Sequence, residues 1–457
     1  MNALLIGILV YIVLQLAIGF IISRRIKNET DYLLGGRSLG YPLATFSIFA
    51  TWFGAESCIG TAGAAYSSGL AGVRADPFGY GICLILVGLL IAVPLYKMKL
   101  TTVADFFRIR YSAKTERVTA ILMIPTSLLW AAAQIRAFGL ILSSTSDLNI
   151  TLAISISAIV VIVYTVFGGL LADAWTDIIQ GSILIIGLLI LVPTIISHFG
   201  GIEETVSLID KKRLAFMSYG GNNFIHDSLL FLESWSIPIC GSLVAQEAIS
   251  RVLASKNQKV AKRSALAAGS FYIMIGFIPL SIGLIGYNLF PGLSNEEQIL
   301  SLVAQKFLPS FLYIVFIGAL VSAILSTVDS SLLACSALLS HNLVIPVKKN
   351  ITEKGKLLLE RSGVVIMGVL AFILAVYAEG VYQLVKDASA FGSSGIFILM
   401  MIGIFTKYGN SASAVASLIA GASTWIIGHY ILENELSYVL SLSVSAITFF
   451  VVYKLTK

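Results

Sequence analysis

The segment GALVSAILSTVDSSLLA at 318–334 holds the residues best suited to chemistry. Ala323, Ser326, Thr327 and Ser330 fall at i, i+3, i+4 and i+7, which places them on one face of a helix. Asp329 lies at the edge of that stripe. Hydroxyls and a carboxylate are hard oxygen donors, the kind a small alkali cation prefers, and backbone carbonyls complete such a shell where a helix is broken. A blander role exists for each hydroxyl alone, since serine and threonine in a helix bond back to the preceding turn. It weakens once an aspartate shares the stripe.

Other polar residues fall inside apolar runs, where a charge is costly and by default functional. They are Glu56, Arg74, Asp76, Arg136, Asp173, Asp177 and Glu233. Arg74 and Asp76 read as a loop end, solvated or paired with each other, and Asp173 reads as a cap at a helix start. Glu56, Asp177 and Asp329 have no such simple explanation. Two of the runs look interrupted. ATWFGAESCIGTAGAAYSSG at 50–69 carries Gly54, Gly60 and Gly63, and LESWSIPICGSLVAQ at 232–246 carries Pro238 and Gly241 near its middle. Breaks at matching places in two halves point to a transporter binding site, because unwinding frees carbonyls at mid-membrane. Small residues that let helices pack closely are the competing explanation.

The elements that must position these groups are membrane helices. Of 457 residues, 57% are hydrophobic and 12% charged, against about 45–50% and about 25% in soluble domains. The apolar residues gather in runs near 4–22, 40–66, 77–96, 118–146, 149–168, 175–197, 228–245, 264–289, 309–339, 362–378, 381–405, 411–431 and 436–455. Each approaches the roughly 20 residues a helix needs to cross about 30 Å of hydrocarbon. That predicts about 13 spans by length. The runs lack the period-two alternation of a membrane barrel.

Basic residues set the expected orientation. Arg24, Arg25, Lys27 and Arg37, then Lys97–Arg117, then Arg251 with Lys256–Arg263, then Lys348–Arg361 all fall on one side if the spans alternate. This puts the N-terminus outside and Lys454–Lys457 in the cytoplasm, with the protein in the plasma membrane (the inner membrane of a bacterial cell). Lys211-Lys212-Arg213 votes the other way from a long loop that also holds Glu203, Glu204 and Asp210. The first run reads as a retained helix, since Arg24-Arg25 follows it directly and no cleavage site does.

The net charge of +6 is therefore a topology signal, dispersed over short loops, and not a nucleic-acid patch. Four cysteines and four histidines are scattered without metal-ligand spacing, and no nucleophile–base set stands out, so an enzyme is not expected. A channel would need rings or a filter repeat that the sequence lacks.

Three motifs then make the chain recognisable: GGRSLG at 35–40, YTVFGGLLADAWTDIIQG at 164–181 and AILSTVDSS at 323–331. In order and over essentially the whole length, the sequence resembles the sodium/solute symporter family. That resemblance implies an all-α integral membrane protein with a LeuT-type 5+5 inverted repeat, one extra N-terminal helix and two C-terminal helices. The expected parts are an N-terminal helix and basic loop (1–36), a first repeat (37–198), an extracellular loop (199–226), a second repeat (227–405) and the last two helices (406–457). The resemblance also implies a Na+ site from the carbonyls of Ala50, Phe53 and Ala323 and the side chains of Ser326 and Thr327. A second Na+ site would use Asp177, Ser326, Asp329 and Ser330, unless Asp177 only orients the hydroxyl ligands.

Within the family, ATWFGAESCIGTA, PFGYGICLIL and WAAAQIRAFG are similar to segments of the choline-transporter branch. By that similarity Trp52, Tyr80 and Trp130 would line the substrate site, with Glu56, Ser57 and Gln246 as further contacts. Glu56 stands where that branch has a glycine, Ala245 replaces a further aromatic, Ser250 replaces a glutamine, and Arg136 adds a charge. The expected function is sodium-coupled import of a small organic solute: an amine, a quaternary ammonium or a zwitterion. Symport of an amino acid, sugar or carboxylate with sodium or protons is the alternative, and an ion channel is the rival of another class. The expected partners are the solute, sodium ions and membrane lipid, with no nucleic acid and no obligate protein.

Overall fold

The computed structural model describes residues 26–144, 146, 148–217, 224–348, 351–378 and 380–457, with isolated positions before residue 26. The first apolar run, Leu4–Ile22, lies outside the described residues, as do Arg25 and Lys349. The rest is helical; among the described residues the sole β feature is one bridge between Leu39 and Ser255. Eight of these helices are long and apolar enough to cross a membrane, or ten if each of two bent pairs is one span.

Two of the eight contain breaks that restore the segmentation read from the sequence. Ile150–His198 runs for 49 residues as two helices that abut at Gly169, which has φ 61° and ψ 170°. The Tyr164 hydroxyl nevertheless lies 2.8 Å from Thr176 Oγ1. Residues twelve apart on a straight helix are separated by about 18 Å, so the chain doubles back at Gly169. A side chain there would also press on Ile26 and Tyr32, 2.9 Å from its Cβ. Glu56–Lys97 is likewise interrupted, at Gly69 (φ 63°) and at Asp76 (φ −128°, ψ 124°).

The two interrupted spans of the sequence are broken in the structure. Tyr41–Trp52, started by Pro42 in its first turn, ends at Phe53, whose ψ of 66° leaves the helical line. The chain resumes with the wide turn Glu56–Gly60 and the helix Thr61–Ser68. The second break falls at Ala245 (φ −63°, ψ 125°), between Phe224–Val244 and Gln246–Ala254, which meet at 44°. It lies one turn beyond the expected Pro238 and Gly241: those residues distort the helix into a wide turn without ending it.

The ends of both broken helices are tied at one face. Leu39 N–H donates to Ala254 O (3.1 Å) and Lys256 N–H to Leu39 O (2.8 Å). Arg37 of GGRSLG donates to Leu253 O, Lys99 O and Leu100 O at 3.2, 3.0 and 2.8 Å. At that same face an ionic cluster joins four segments. His341 is 2.6 Å from Glu29 and 3.3 Å from Asp105, and Lys356 is 3.4 Å from Glu29. Burial would raise the Asp105 carboxyl, but His341 and the amides of Thr101 and Thr102 outweigh it and hold it at about 2.

Helix Ser310–Ala337 runs through the middle, packed on Ala113–Ser144, Ile150–His198 and Tyr41–Trp52. All its residues from Ala319 onward are buried. The molecule's outer faces instead expose Leu89, Ile159, Leu189, Ile366 and Ile447, the apolar coat that a hydrocarbon solvent requires.

Several polar residues take roles other than those expected. Arg74 does not pair with Asp76; its Nε donates to Phe216 O (3.0 Å) and its guanidinium lies over the Phe231 ring. Glu233 accepts from the Tyr438 and Val439 amides, both at 2.7 Å, and so caps Ser437–Leu455. Arg136 donates to Ala375 O at 3.1 Å. Arg251, counted above with the loop charges, is 1% exposed.

Candidate functional site

The break after Trp52 and the hydroxyl stripe of Ser310–Ala337 meet in the interior. Thr327 Oγ1 is 3.2 Å from Ala50 O and 3.2 Å from Ala323 O. Three of the five oxygens expected to hold a sodium ion therefore converge. Gly54, the residue after Phe53, also reaches this place: a Cβ on it would lie 2.5 Å from Thr327 Oγ1. Ser326 gives its hydroxyl to Asp177 Oδ1, whose other oxygen accepts from Ser47 Oγ at 2.6 Å. Asp177 thus turns a ligand hydroxyl so that its lone pairs face away from the carboxylate. The residues present suit an alkali cation: carbonyls from the end of a half-helix, which carry the negative end of its dipole, and hydroxyls from the facing helix.

The second set is not brought together in the same way. Ser330 Oγ donates to Asp173 Oδ2 (3.0 Å) and receives the Arg251 guanidinium, which also ion-pairs with Asp173. Asp329 is fully buried beside Gly168. A fixed guanidinium thus contacts Ser330, one of the expected ligands of the second sodium ion. Asp173 holds that guanidinium and is not a helix cap.

The aromatic residues form a closed trio. Trp52 and Trp130 stack at 5.8 Å, and Tyr80 stands 6.0 Å from each. They are 1–2% exposed. Glu56 is at their edge: Trp130 Nε1 donates to Oε1 (3.4 Å) and Gln134 Nε2 to Oε2 (2.6 Å). The Gln134 amide is oriented by Ala55 N–H, which donates to its Oε1 at 3.0 Å. Gly54 separates this group from the cation cradle; its Cβ would meet Thr327, Gln134 and Glu56 side chains within 2.9 Å. Tyr80 OH reaches Ser389 Oγ at 2.9 Å. Beyond Gly60, one turn from Glu56, a cavity of about 440 Å³ opens, lined by Gly63, Arg74, Glu297, Tyr382 and Lys386 among others.

Two expected contacts lie elsewhere. Gln246 Oε1 accepts from Val103 N–H at 2.7 Å, so the residue starting the second half-helix anchors a loop. Ser57 turns away from the trio toward Asp76 and Tyr272, at 2.9 and 2.5 Å. Gln134 was absent from the expected contacts although it sits one turn beyond Trp130 on the same helical face, a readable spacing. Nothing in the sequence pointed to Tyr272 or Ser389.

Paired broken helices that face a hydroxyl-bearing helix, with a buried aromatic trio beside the break, have the arrangement of a cation-coupled secondary transporter. The chain belongs to the sodium:solute symporter family, whose profile matches residues 32–421. It is 29% identical over 449 residues to the human high affinity choline transporter 1, covering 93% of this chain and 76% of that one. It is 26% identical over 450 residues to the sodium/proline symporter of Escherichia coli, covering 93% and 87%. Its fold matches that of a Na+-coupled sialic acid symporter in a substrate-bound outward-open state, with TM-score 0.87, 20% identity and coverage of 100% and 98%. This is a multi-pass membrane transporter of the LeuT-like architecture, and sodium is the coupling ion of its family.

Proposed function

We propose that this protein imports a small organic ammonium that carries at least one N–H, alone or as the amino group of a zwitterion, together with sodium. Glu56 carries the reading. It is a fully buried carboxylate held by two neutral donors, so its charge lacks a fixed partner at the edge of an aromatic trio. Buried charges are paired in stable proteins; a substrate cation supplies the pair here. The rings contribute as well, since a desolvated cation over an aromatic face gains about 2 kcal/mol or more. A quaternary ammonium would engage the rings but would offer the carboxylate no hydrogen bond of its own.

In this reading sodium binds first, to the carbonyls of Ala50, Phe53 and Ala323 and the hydroxyls of Ser326 and Thr327. It joins the broken helix to Ser310–Ala337 and fixes the geometry of Gly54, which touches both sites. The substrate then pairs with Glu56. Release follows on the side where sodium is scarce, aided by about 2.3 kcal/mol per charge for each 100 mV of membrane potential. The basic loops support a plasma-membrane location with the C-terminus in the cytoplasm.

The deciding experiment is uptake into proteoliposomes of a graded series, from primary to quaternary ammonium and neutral isosteres, with and without a sodium gradient. Sodium-dependent uptake that prefers N–H-bearing cations is expected. Uptake that follows pH and ignores sodium refutes the coupling. Trp52→Ala and Trp130→Ala should each weaken substrate affinity about 30-fold, the equivalent of about 2 kcal/mol. Thr327→Ala should raise the sodium concentration for half-maximal uptake about tenfold, the loss of about one charge-assisted contact. Ser326→Ala should act in the same direction, and unchanged sodium dependence in both variants counts against the site.

A further inference from the structure

Asp76 is buried completely, at the break between two spans, and neither half of the mechanism above uses it. Its Oδ2 is 2.9 Å from Ser57 Oγ and 2.7 Å from Tyr272 OH. The same two hydroxyls lie 3.1 and 3.2 Å from Trp52 O, and 2.5 Å from each other. Ser57 and Tyr272 are at most 1% exposed. Asp76 Oδ1 is buried, with the Thr61 side chain also beside the carboxylate.

Counting hydrogens decides what such a cluster needs. Four oxygens make five close approaches to one another, yet only the Ser57 and Tyr272 hydroxyls carry protons. Two protons fill two of those approaches. The remaining ones set lone pair against lone pair inside a dry interior. Arg74, the nearest basic residue in sequence, is engaged with Phe216 and Phe231. Trp52 O is the last carbonyl of its half-helix and so carries the negative end of the helix dipole. Electron-rich oxygens from a carboxylate, two hydroxyls and a helix-terminal carbonyl are what a hard cation completes.

We infer that Asp76, Ser57, Tyr272 and the Trp52 carbonyl form a second alkali-cation site, separate from the one at Thr327. The rings of Phe49 and Phe53 pack against Tyr272 at 6.5 and 5.2 Å, so the place admits a bare ion and not an organic ammonium. The ion rests on the carbonyl of Trp52, whose ring stacks on Trp130. Its binding therefore sets the position of the aromatic trio and raises substrate affinity, and the ion bound at this site travels with the substrate.

The test needs no substrate and so stands apart from the identity of the solute. Radioactive sodium binding to the purified protein, at constant ionic strength, should give two ions per molecule. Asp76→Asn should leave one, Thr327→Ala should keep two but raise the half-saturation concentration of the other about tenfold, and the double variant should keep only that weakened ion. Ser57→Ala, which keeps the carboxylate, should leave two ions but raise one half-saturation concentration about tenfold, and it serves if Asp76→Asn does not fold. A single ion in the wild type, with a half-saturation concentration that Thr327→Ala raises and Asp76→Asn leaves unchanged, overturns the proposal. So does an Asp76→Asn protein that still binds two. If Asp76→Asn abolishes a pH dependence of binding without changing the sodium count, the group holds a proton and the cation site is wrong.

Discussion

Replacing Glu56 by glutamine is expected to lower uptake of the N–H-bearing substrate by a hundredfold or more, without changing sodium binding in the absence of substrate. The glutamine keeps the volume and can still accept from Gln134 Nε2, so packing is preserved. Only the charge goes. Removing one partner of a buried ion pair costs about 3–5 kcal/mol, which corresponds to roughly 10²–10⁴ in affinity. The substitution should also reverse the order within the ammonium series. With no carboxylate to satisfy, a quaternary cation loses nothing, and its uptake should equal or exceed that of the primary amine. Competition against a labelled substrate measures both effects in one assay. Equal uptake of the whole series by Glu56→Gln and wild type would show that the carboxylate does not face the ligand.

The second large effect is expected at Arg251, and it concerns stability. The guanidinium is 1% exposed and contacts Asp173 and Ser330, with Asp177 and Asp329 also fully buried nearby. Arg251→Met leaves Asp173 as an uncompensated buried charge among other carboxylates, and a loss of about 3–5 kcal/mol follows. Melting of the detergent-solubilised protein, followed by tryptophan fluorescence, should drop clearly. Adding Asp173→Asn to Arg251→Met should recover part of the loss, because the charge requiring a partner is then gone. If the single variant melts like wild type, the ion pair is not what holds these helices together.

Much of the architecture was legible in the residues. A bilayer as solvent forces long apolar runs, and these runs predicted about 13 spans; among the described residues eight helices, or ten counting each bent pair as one span, are long and apolar enough to cross a membrane. Period 3.6 placed Ala323, Ser326, Thr327 and Ser330 on one stripe, and glycine content marked the first broken span at Gly54. In the second span Pro238 and Gly241 suggested the break, but it falls at Ala245, because a proline can be absorbed in a wide turn when neighbouring helices hold the chain. The trio of Trp52, Tyr80 and Trp130 came from motif resemblance alone. No spacing links three residues on three segments.

The sequence by itself determined the solvent, the approximate helices and the oxygen-rich face of Ser310–Ala337, since all three depend on composition or on neighbours within two helical turns. Only the tertiary structure decided which polar groups meet. Arg251 reads as one more loop charge until the fold buries it against Asp173, 78 residues away. Asp76 reads as a solvated loop end until Tyr272, 196 residues away, donates to it. Glu56 reads as an isolated acid until Gln134 and Trp130 reach it from another helix. In a low-dielectric interior a polar group's role is fixed by its partners, and partners that distant are chosen by how the helices pack.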